Sequence, residues 1–124
     1  PRLAGRGGLV SVFFDPDVEQ ITVAADSGAP FIELHTGCYA NATGAARARE
    51  LDRLARAAEF ARERGLRVNA GHGLDYDNVG AVARIAGIEE LNIGYAVVAR
   101  SIFVGLDVAV RGMIAAIEDA RRGV

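Results

Sequence analysis

The amino-acid sequence predicts an α/β fold, with four parallel strand–helix units arranged as half of a (β/α)8 TIM barrel. Three observations predict it. Short β-rich apolar runs alternate four times with segments of helical periodicity, the pattern of a parallel sheet with helices packed outside. Alternation along the predicted strands separates an apolar face from a polar one. Glycine-rich turns follow the third and fourth runs, at Gly71–Gly73 and at Gly94.

The run "LVSVFF" (Leu9–Phe14) predicts the first strand. Asp15 predicts the N-cap of the next helix, with Pro16 at its first position. Val18, Ile21 and Ala25 recur at helical spacing, and Gly28 stops that helix. "FIELH" (Phe31–His35) predicts the second strand, and "TGCYANATG" (Thr36–Gly44) a turn-rich loop. A long helix follows over about Ala45–Arg64, with Leu51, Leu54, Ala55 and Ala58 facing the core and Gly65 ending it. "LRVNA" (Leu66–Ala70) predicts the third strand. Asp75 caps the next helix, which buries Val79, Val82 and Ile85 and stops at Gly87. "ELNI" (Glu90–Ile93) predicts the fourth strand, and a short helix is expected near Ala96–Phe103. The last helix, Leu106–Arg122, carries Leu106, Val110, Met113, Ile114 and Ile117 on one stripe.

Four such units also suit a small open sheet, and strand parity decides between the two. Ile32 and Leu34 oppose Glu33 and His35; Val68 and Ala70 oppose Asn69; Leu91 and Ile93 oppose Asn92. Helices on both faces would bury those polar groups under apolar side chains, at a cost. A barrel lumen gives them each other and a ligand, and barrel active sites sit at the C-terminal ends of the strands. A complete barrel takes about 250 residues; this chain has 124, read as one unlinkered half-barrel domain over residues 1–124.

Composition narrows the function classes. Hydrophobic residues make up 51% and charged residues 24%, as in a soluble globular chain. A net charge of −2 gives no general attraction to nucleic acid or anionic membrane. No apolar run approaches the roughly 20 residues of a membrane span. Cys38 stands alone, so no intrachain disulfide and no cysteine metal cluster can form, which suits a reducing, cytoplasmic compartment. All 14 basic residues are Arg; without Lys, no lysine Schiff base can form on this chain. The opening "PRLAGRGGLV" has neither Met nor a signal-peptide core, and reads as the interior of a longer protein.

Two stretches nearly repeat: "RVNAGHGL" at Arg67–Leu74 and "ELNIGYAV" at Glu90–Val97. In barrels the loops after the last two strands often form a phosphate cup with the N-terminus of a short extra helix. The same layout here points to one phosphate cupped between the loops, although turn punctuation alone also explains glycines there. His72 follows the first turn and suits general acid–base work, or a hydrogen-bonded structural role. Glu33 and His35 share a face and read as a tuned acid–base carboxylate with its neighbour, or as a structural pair. A metal site ranks below acid–base use, because no ligand spacing is recognisable. Arg100 lies near the cup but reads as solvated; Arg47, Arg49, Arg53 and Arg56 read as a solvated helix face; Asp75, Tyr76 and Asp77 read as cap and turn residues.

Together, "SVFFDPD", "GAPFIELHTGCYA", "GLRVNAGHGLDYDNV" and "ELNIGYAVVARSIFVGL" resemble the pyridoxine 5′-phosphate synthase family of vitamin B6 synthesis. The resemblance spans the chain but only the C-terminal half of the family's barrel, strands five to eight. It implies condensation of 1-deoxy-D-xylulose 5-phosphate with 3-amino-2-oxopropyl phosphate to pyridoxine 5′-phosphate, with loss of phosphate and water and with no metal or organic cofactor. By motif, His72 resembles the family's proton donor and Glu33 a carboxylate that stabilises the transition state. Gly73 resembles a ligand contact, and Gly94 with Tyr95 resembles the substrate's phosphate cup. The family usually has His where this chain has Tyr95; a backbone N–H contact survives that exchange and an imidazole contact does not. His35 receives no role. The resemblance further implies a homo-oligomer, an octamer in the family, acting on small phosphorylated substrates. The missing half carries the family's other acid–base residues, so the chain alone is expected to be inactive. The competing expectations are a non-catalytic phosphate-binding half-barrel stabilised by self-association, and another sugar-phosphate barrel enzyme such as an isomerase or aldolase.

Overall fold

The computed structural model describes residues 4–123. A single turn of 3-10 helix at Ala4–Arg6 precedes strand β1, Ser11–Phe14. Then follow α1 (Val18–Asp26), β2 (Phe31–His35), α2 (Gly37–Asn41), α3 (Gly44–Glu63), β3 (Arg67–Gly71), α4 (Val79–Ala83), β4 (Ile88–Asn92), α5 (Tyr95–Val104) and α6 (Leu106–Arg122). The four strands form one sheet in the order β1-β2-β3-β4, every pair parallel. This is the βα alternation of a partial barrel, each strand beside its sequence neighbour.

The core lies between the sheet and the helices, on the face that parity assigns to it. Ile32, Leu34, Val68 and Ala70 project from the strands against Ile21 and Ala24 of α1, Leu54, Ala57, Ala58 and Ala61 of α3, and Val82 of α4. Ile21, Ile32, Leu34, Leu54, Val68 and Val82 are fully buried, worth about 1.5–3 kcal/mol each relative to exposure. The register fixes the other face. Phe13, Glu33, Asn69 and Glu90 lie side by side in one layer, and His35, Gly71 and Asn92 in the layer above.

Several element boundaries differ from expectation, each for a local reason. Asp17, not Asp15, caps α1: its Oδ1 accepts from the N–H groups of Glu19 (3.0 Å) and Gln20 (3.1 Å). Pro16 therefore precedes the helix. Part of the expected Thr36–Gly44 loop is α2, anchored by buried Tyr39, whose hydroxyl donates to Asn78 O at 2.8 Å. On α3 the buried stripe is Leu54, Ala57, Ala58 and Ala61, leaving Leu51 and Ala55 half-buried. On α4, Val79 and Val82 are buried but Ile85 lies beyond the helix and is half-buried. β4 begins at Ile88, with an irregularity opposite Val68 and Asn69 that leaves Glu89 as the extra residue. Arg67 holds Glu89 with a two-pronged ion pair and lies 4.4 Å over the Phe31 ring. That hydrogen bond holds the Glu89 carboxyl below the usual glutamate range.

α6 has its expected limits but a different buried stripe. Ala109, Met113 and Ala120 are buried, while Leu106, Val110 and Ile114 are exposed and Ile117 is half-buried. α6 meets α4 and α5 at close range: a Cβ on Gly80 would sit 3.2 Å from Ala120 Cβ. Small residues make that approach possible and turn the larger aliphatic side chains away from it. Arg47 and Arg53 are not merely solvated. Arg47 Nε donates to Ala42 O (2.7 Å) and Arg53 Nε to Pro16 O (3.0 Å), tying α3 to flanking loops.

Candidate functional site

Each strand delivers one polar side chain to the C-terminal rim of the sheet. Asp15 follows β1, His35 ends β2, His72 follows β3 and Asn92 ends β4. Glu33 sits one layer down on β2 and reaches up: its Oε2 accepts from Asn92 Nδ2 at 2.8 Å. Gly71 lies between them in the sheet. A Cβ there would collide with Glu33 Oε1 and stand 2.9 Å from Asn92 O. Glycine at this position is what lets the carboxylate cross β3 to β4.

The loop after β3 is built to present His72. His72 has φ +85°, the one non-glycine residue with positive φ among the described residues, and Gly73 follows at φ +74°. Such a backbone costs of order 1–3 kcal/mol and persists only where its surroundings enforce it. Thr36 supplies the enforcement. It is fully buried, its N–H donates to Gly71 O (2.8 Å), and its hydroxyl lies 2.7 Å from Gly71 O and 2.5 Å from His72 O. The imidazole of His72 packs against that of His35 at 4.7 Å between ring centroids. Both rings pass over Gly37, where a Cβ would stand 2.7 Å from His35 Cε1 and Nε2 and 3.2 Å from His72 Cδ2.

A cavity of about 680 Å³ opens on this rim, lined by Phe13, Glu33, His72, Gly73, Leu74, Asp75, Asn92, Ile93, Gly94, Tyr95 and Ala96. The five site residues predicted from sequence (Glu33, His72, Gly73, Gly94 and Tyr95) therefore share one wall. Gly94 is the cap position of α5 and accepts from Val98 N at 3.0 Å. Gly94, Tyr95 and Ala96, at the N-terminus of α5 where the first N–H groups have no intrahelical acceptors, line the cavity. Gly94 has an ordinary negative φ of −108° and open space around its would-be Cβ. Neither conformation nor packing calls for glycine there. Tyr95 is 90% exposed.

The two similar stretches are not structural equivalents. Gly71 pairs with Asn92, so the second stretch sits two residues further along its strand, and Gly73 and Gly94 occupy the corresponding loop positions. Asn69 lies in the layer below. Its Nδ2 reaches Glu90 Oε2 at 3.4 Å, and its buried Oδ1 has no partner among the described residues. Arg100 does not reach the cup: its guanidinium lies 4.6 Å over the ring of Tyr76, whose hydroxyl donates to Ala109 O. Asp75 serves as a turn residue, its Oδ1 accepting from Asp77 N and Asn78 N.

Three contributors were not read from sequence: Asp15, Thr36 and Gly37. Asp15 Oδ1 lies 2.8 Å from His35 Nδ1, a contact hidden because Asp-Pro-Asp offers two carboxylates for one helix cap. Thr36 and Gly37 stand directly after the strand, where a turn reading absorbs them.

The family described as "Pyridoxal phosphate biosynthesis protein PdxJ" matches residues 1–119. The chain belongs to this family. Curated relatives include the pyridoxine 5′-phosphate synthases of Synechococcus sp. (strain JA-2-3B'a(2-13)), 58% identical over 90% of this chain and 47% of that protein. That of Blochmanniella pennsylvanica is 50% identical over 98% of this chain and 50% of that protein. That of Legionella pneumophila (strain Corby) is 54% identical over 97% and 49%. The chain spans about half the length of the curated relatives it matches, in keeping with four of a barrel's eight strands. No helix among the described residues is long and apolar enough to cross a membrane.

Proposed function

We propose that this chain contributes the proton-donating and phosphate-binding wall of a pyridoxine 5′-phosphate synthase. The reaction condenses 1-deoxy-D-xylulose 5-phosphate with 3-amino-2-oxopropyl phosphate. The single observation that carries this reading is the shared cavity, which joins Glu33, His72, Gly73, Gly94 and Tyr95. His72 stands at the rim, on a positive-φ backbone whose carbonyl accepts from the Thr36 hydroxyl. That placement suits delivery of a proton to a leaving hydroxyl or phosphate. Glu33, oriented by Asn92, stabilises developing positive charge on the condensing amine. The N–H groups at Gly94–Tyr95, on the positive end of the ten-residue α5, receive the phosphate of the amino-ketone. The open position at Gly94 leaves room for that phosphate against the backbone. Imine formation rests on the substrate's own amine, which fits a chain without lysine.

On this reading the sheet forms one wall of a lumen, and turnover requires the remaining strands. The working form is a cytoplasmic homo-oligomer. The test is a product assay with both phosphorylated substrates, run on this chain alone and joined to the other half of a family barrel. Pyridoxine 5′-phosphate should form only in the joined protein. In that protein His72→Ala should lower kcat at least about a hundredfold, as for lost acid–base catalysis. Near-normal turnover would remove His72 from the role, and no product with the intact pair would leave a phosphate-binding half-barrel.

A further inference from the structure

The pair formed by Asp15 and His35 has no part in the roles above, and its geometry gives it one. From the packing at the rim we infer that Asp15 and His35 are positioning residues, which hold the His72 imidazole in its working orientation. The inference rests on the proposed role of His72 as proton donor.

Four contacts support it. Asp15 Oδ1 lies 2.8 Å from His35 Nδ1, joining the end of β1 to the end of β2. A carboxylate can only accept, so the proton of that bond sits on Nδ1 and leaves Nε2 as the acceptor nitrogen of the neutral ring. Phe13 meets the same ring edge-on, with centroids 5.3 Å apart and planes at 79°. The free edge of His35, bearing Cε1 and Nε2, lies over Gly37. The His72 ring packs on His35 at 4.7 Å, tilted by 52°. His35 is thus fixed on one side by hydrogen bond and on another by an aromatic edge, and it presents a fixed flank to an exposed imidazole. Thr36 fixes the His72 backbone, and His35 fixes its ring.

The sequence around the pair is consistent with this use. α1 takes its cap from Asp17, so the Asp15 side chain is not consumed by the helix. Gly37 is the residue that both rings pass over, and any side chain there would push them apart. Misplacing a catalytic group by about 1 Å can cost two orders of magnitude in rate, which makes a dedicated support worth its own residues.

Two readouts test the inference, and they fail independently of the synthase reading. The chain contains two histidines, so ring-nitrogen NMR of the labelled chain resolves both. At pH 8, above the ordinary imidazole titration range, His35 should show a protonated Nδ1 and an unprotonated Nε2. Asp15→Ala should abolish that preference and shift the ring resonances of His72, whereas Asp15→Asn, which keeps an acceptor oxygen, should preserve both. His35 protonated on Nε2, or His72 signals indifferent to Asp15→Ala, would overturn the inference. In the complete barrel, Asp15→Ala and His35→Ala should each lower kcat between about ten- and a hundredfold, with KM changed less than about twofold, and Asp15→Asn should restore most of the loss. A defect carried by KM alone, or no rescue by Asn, would also overturn it. Absence of synthase activity in the unmutated barrel would instead refute the proposed function, leaving the NMR result to judge the pairing.

Discussion

At the scale of single residues, glycines at the rim separate folding from binding. Gly71 and Gly94 look alike in sequence, each two residues after an Asn, yet the structure gives them different constraints. A Cβ at Gly71 strikes the Glu33 carboxylate and the Asn92 backbone, neither of which can retreat without breaking the Glu33–Asn92 bond. Gly71→Ala should therefore cost about 1–3 kcal/mol of stability, the usual penalty of overpacking, and should disable the site. Gly94→Ala meets nothing and keeps an ordinary φ. It should cost less than about 1 kcal/mol, the exchange of a glycine cap for alanine, and, on the proposed function, raise KM for the amino-ketone phosphate. Urea titration and steady-state kinetics on both variants check the pair; a Gly94→Ala destabilised as much as Gly71→Ala would mean that this glycine serves the fold. The placement of Glu33 and His72 on one rim was legible in the sequence because strand parity and turn position report where a side chain starts. Asp15 was not, because a carboxylate beside a proline reads first as a cap, and only coordinates show that Asp17 has taken that task.

At the scale of elements, periodicity located every strand and every long helix, and tertiary packing set what it could not. α2 was missed because five residues of Gly, Cys, Tyr, Ala and Asn carry no period; the anchoring of Tyr39 makes the helix. Of the large side chains expected on the α6 stripe Met113 is buried, and Ala109 and Ala120 complete the buried set, Ala120 at the close approach to Gly80 of α4. Tyr39 offers a measurable consequence. Burial is the main cause that raises its phenol above the usual tyrosine value, with the charge of Arg47 opposing. The folded state therefore favours the neutral ring. That contribution is complete below the ordinary tyrosine range and is lost as pH rises through the higher folded-state value. Tyr39→Phe should lower stability at pH 8 by about 1–3 kcal/mol, since the buried carbonyl of Asn78 loses its donor. It should also flatten the decline in stability above pH 10, which denaturant titrations across the alkaline range would show. An identical alkaline slope in the variant would mean that another group governs it.

At the scale of the whole molecule, the sheet has two edges and a lumen face that the described residues leave open. Parity foresaw the polar lumen, because a residue's face is fixed by counting along a strand; it did not foresee how much apolar surface the edges present, because that depends on what packs beside them. On the β4 side no residue of α5 is buried: Ile102 is 78% exposed and Phe103 87%, beside exposed Leu106, Val110 and Ile114 of α6. On the β1 side Leu9, Phe13, Val18 and Val23 are exposed as well. Isolated apolar residues on a surface are ordinary, but several of them on the elements at each edge of a parallel sheet make bands suited to association. The relatives are about twice as long, so in the full-length family barrel further strands and helices have the place to cover these bands. Where such elements are absent, the bands are open to associate with each other. The chain alone should therefore sediment and scatter light as a concentration-dependent oligomer, and replacing Ile102 and Phe103 with Asp should shift it towards monomer without loss of helical signal, since neither side chain joins the core. Joining the other half of a family barrel should cover the same surface and suppress this edge-driven association, so that the apparent size no longer varies with concentration. A sharply monomeric 124-residue chain at high concentration, with its secondary structure intact, would show that these bands are satisfied by water and that the half-barrel is stable with its edges bare.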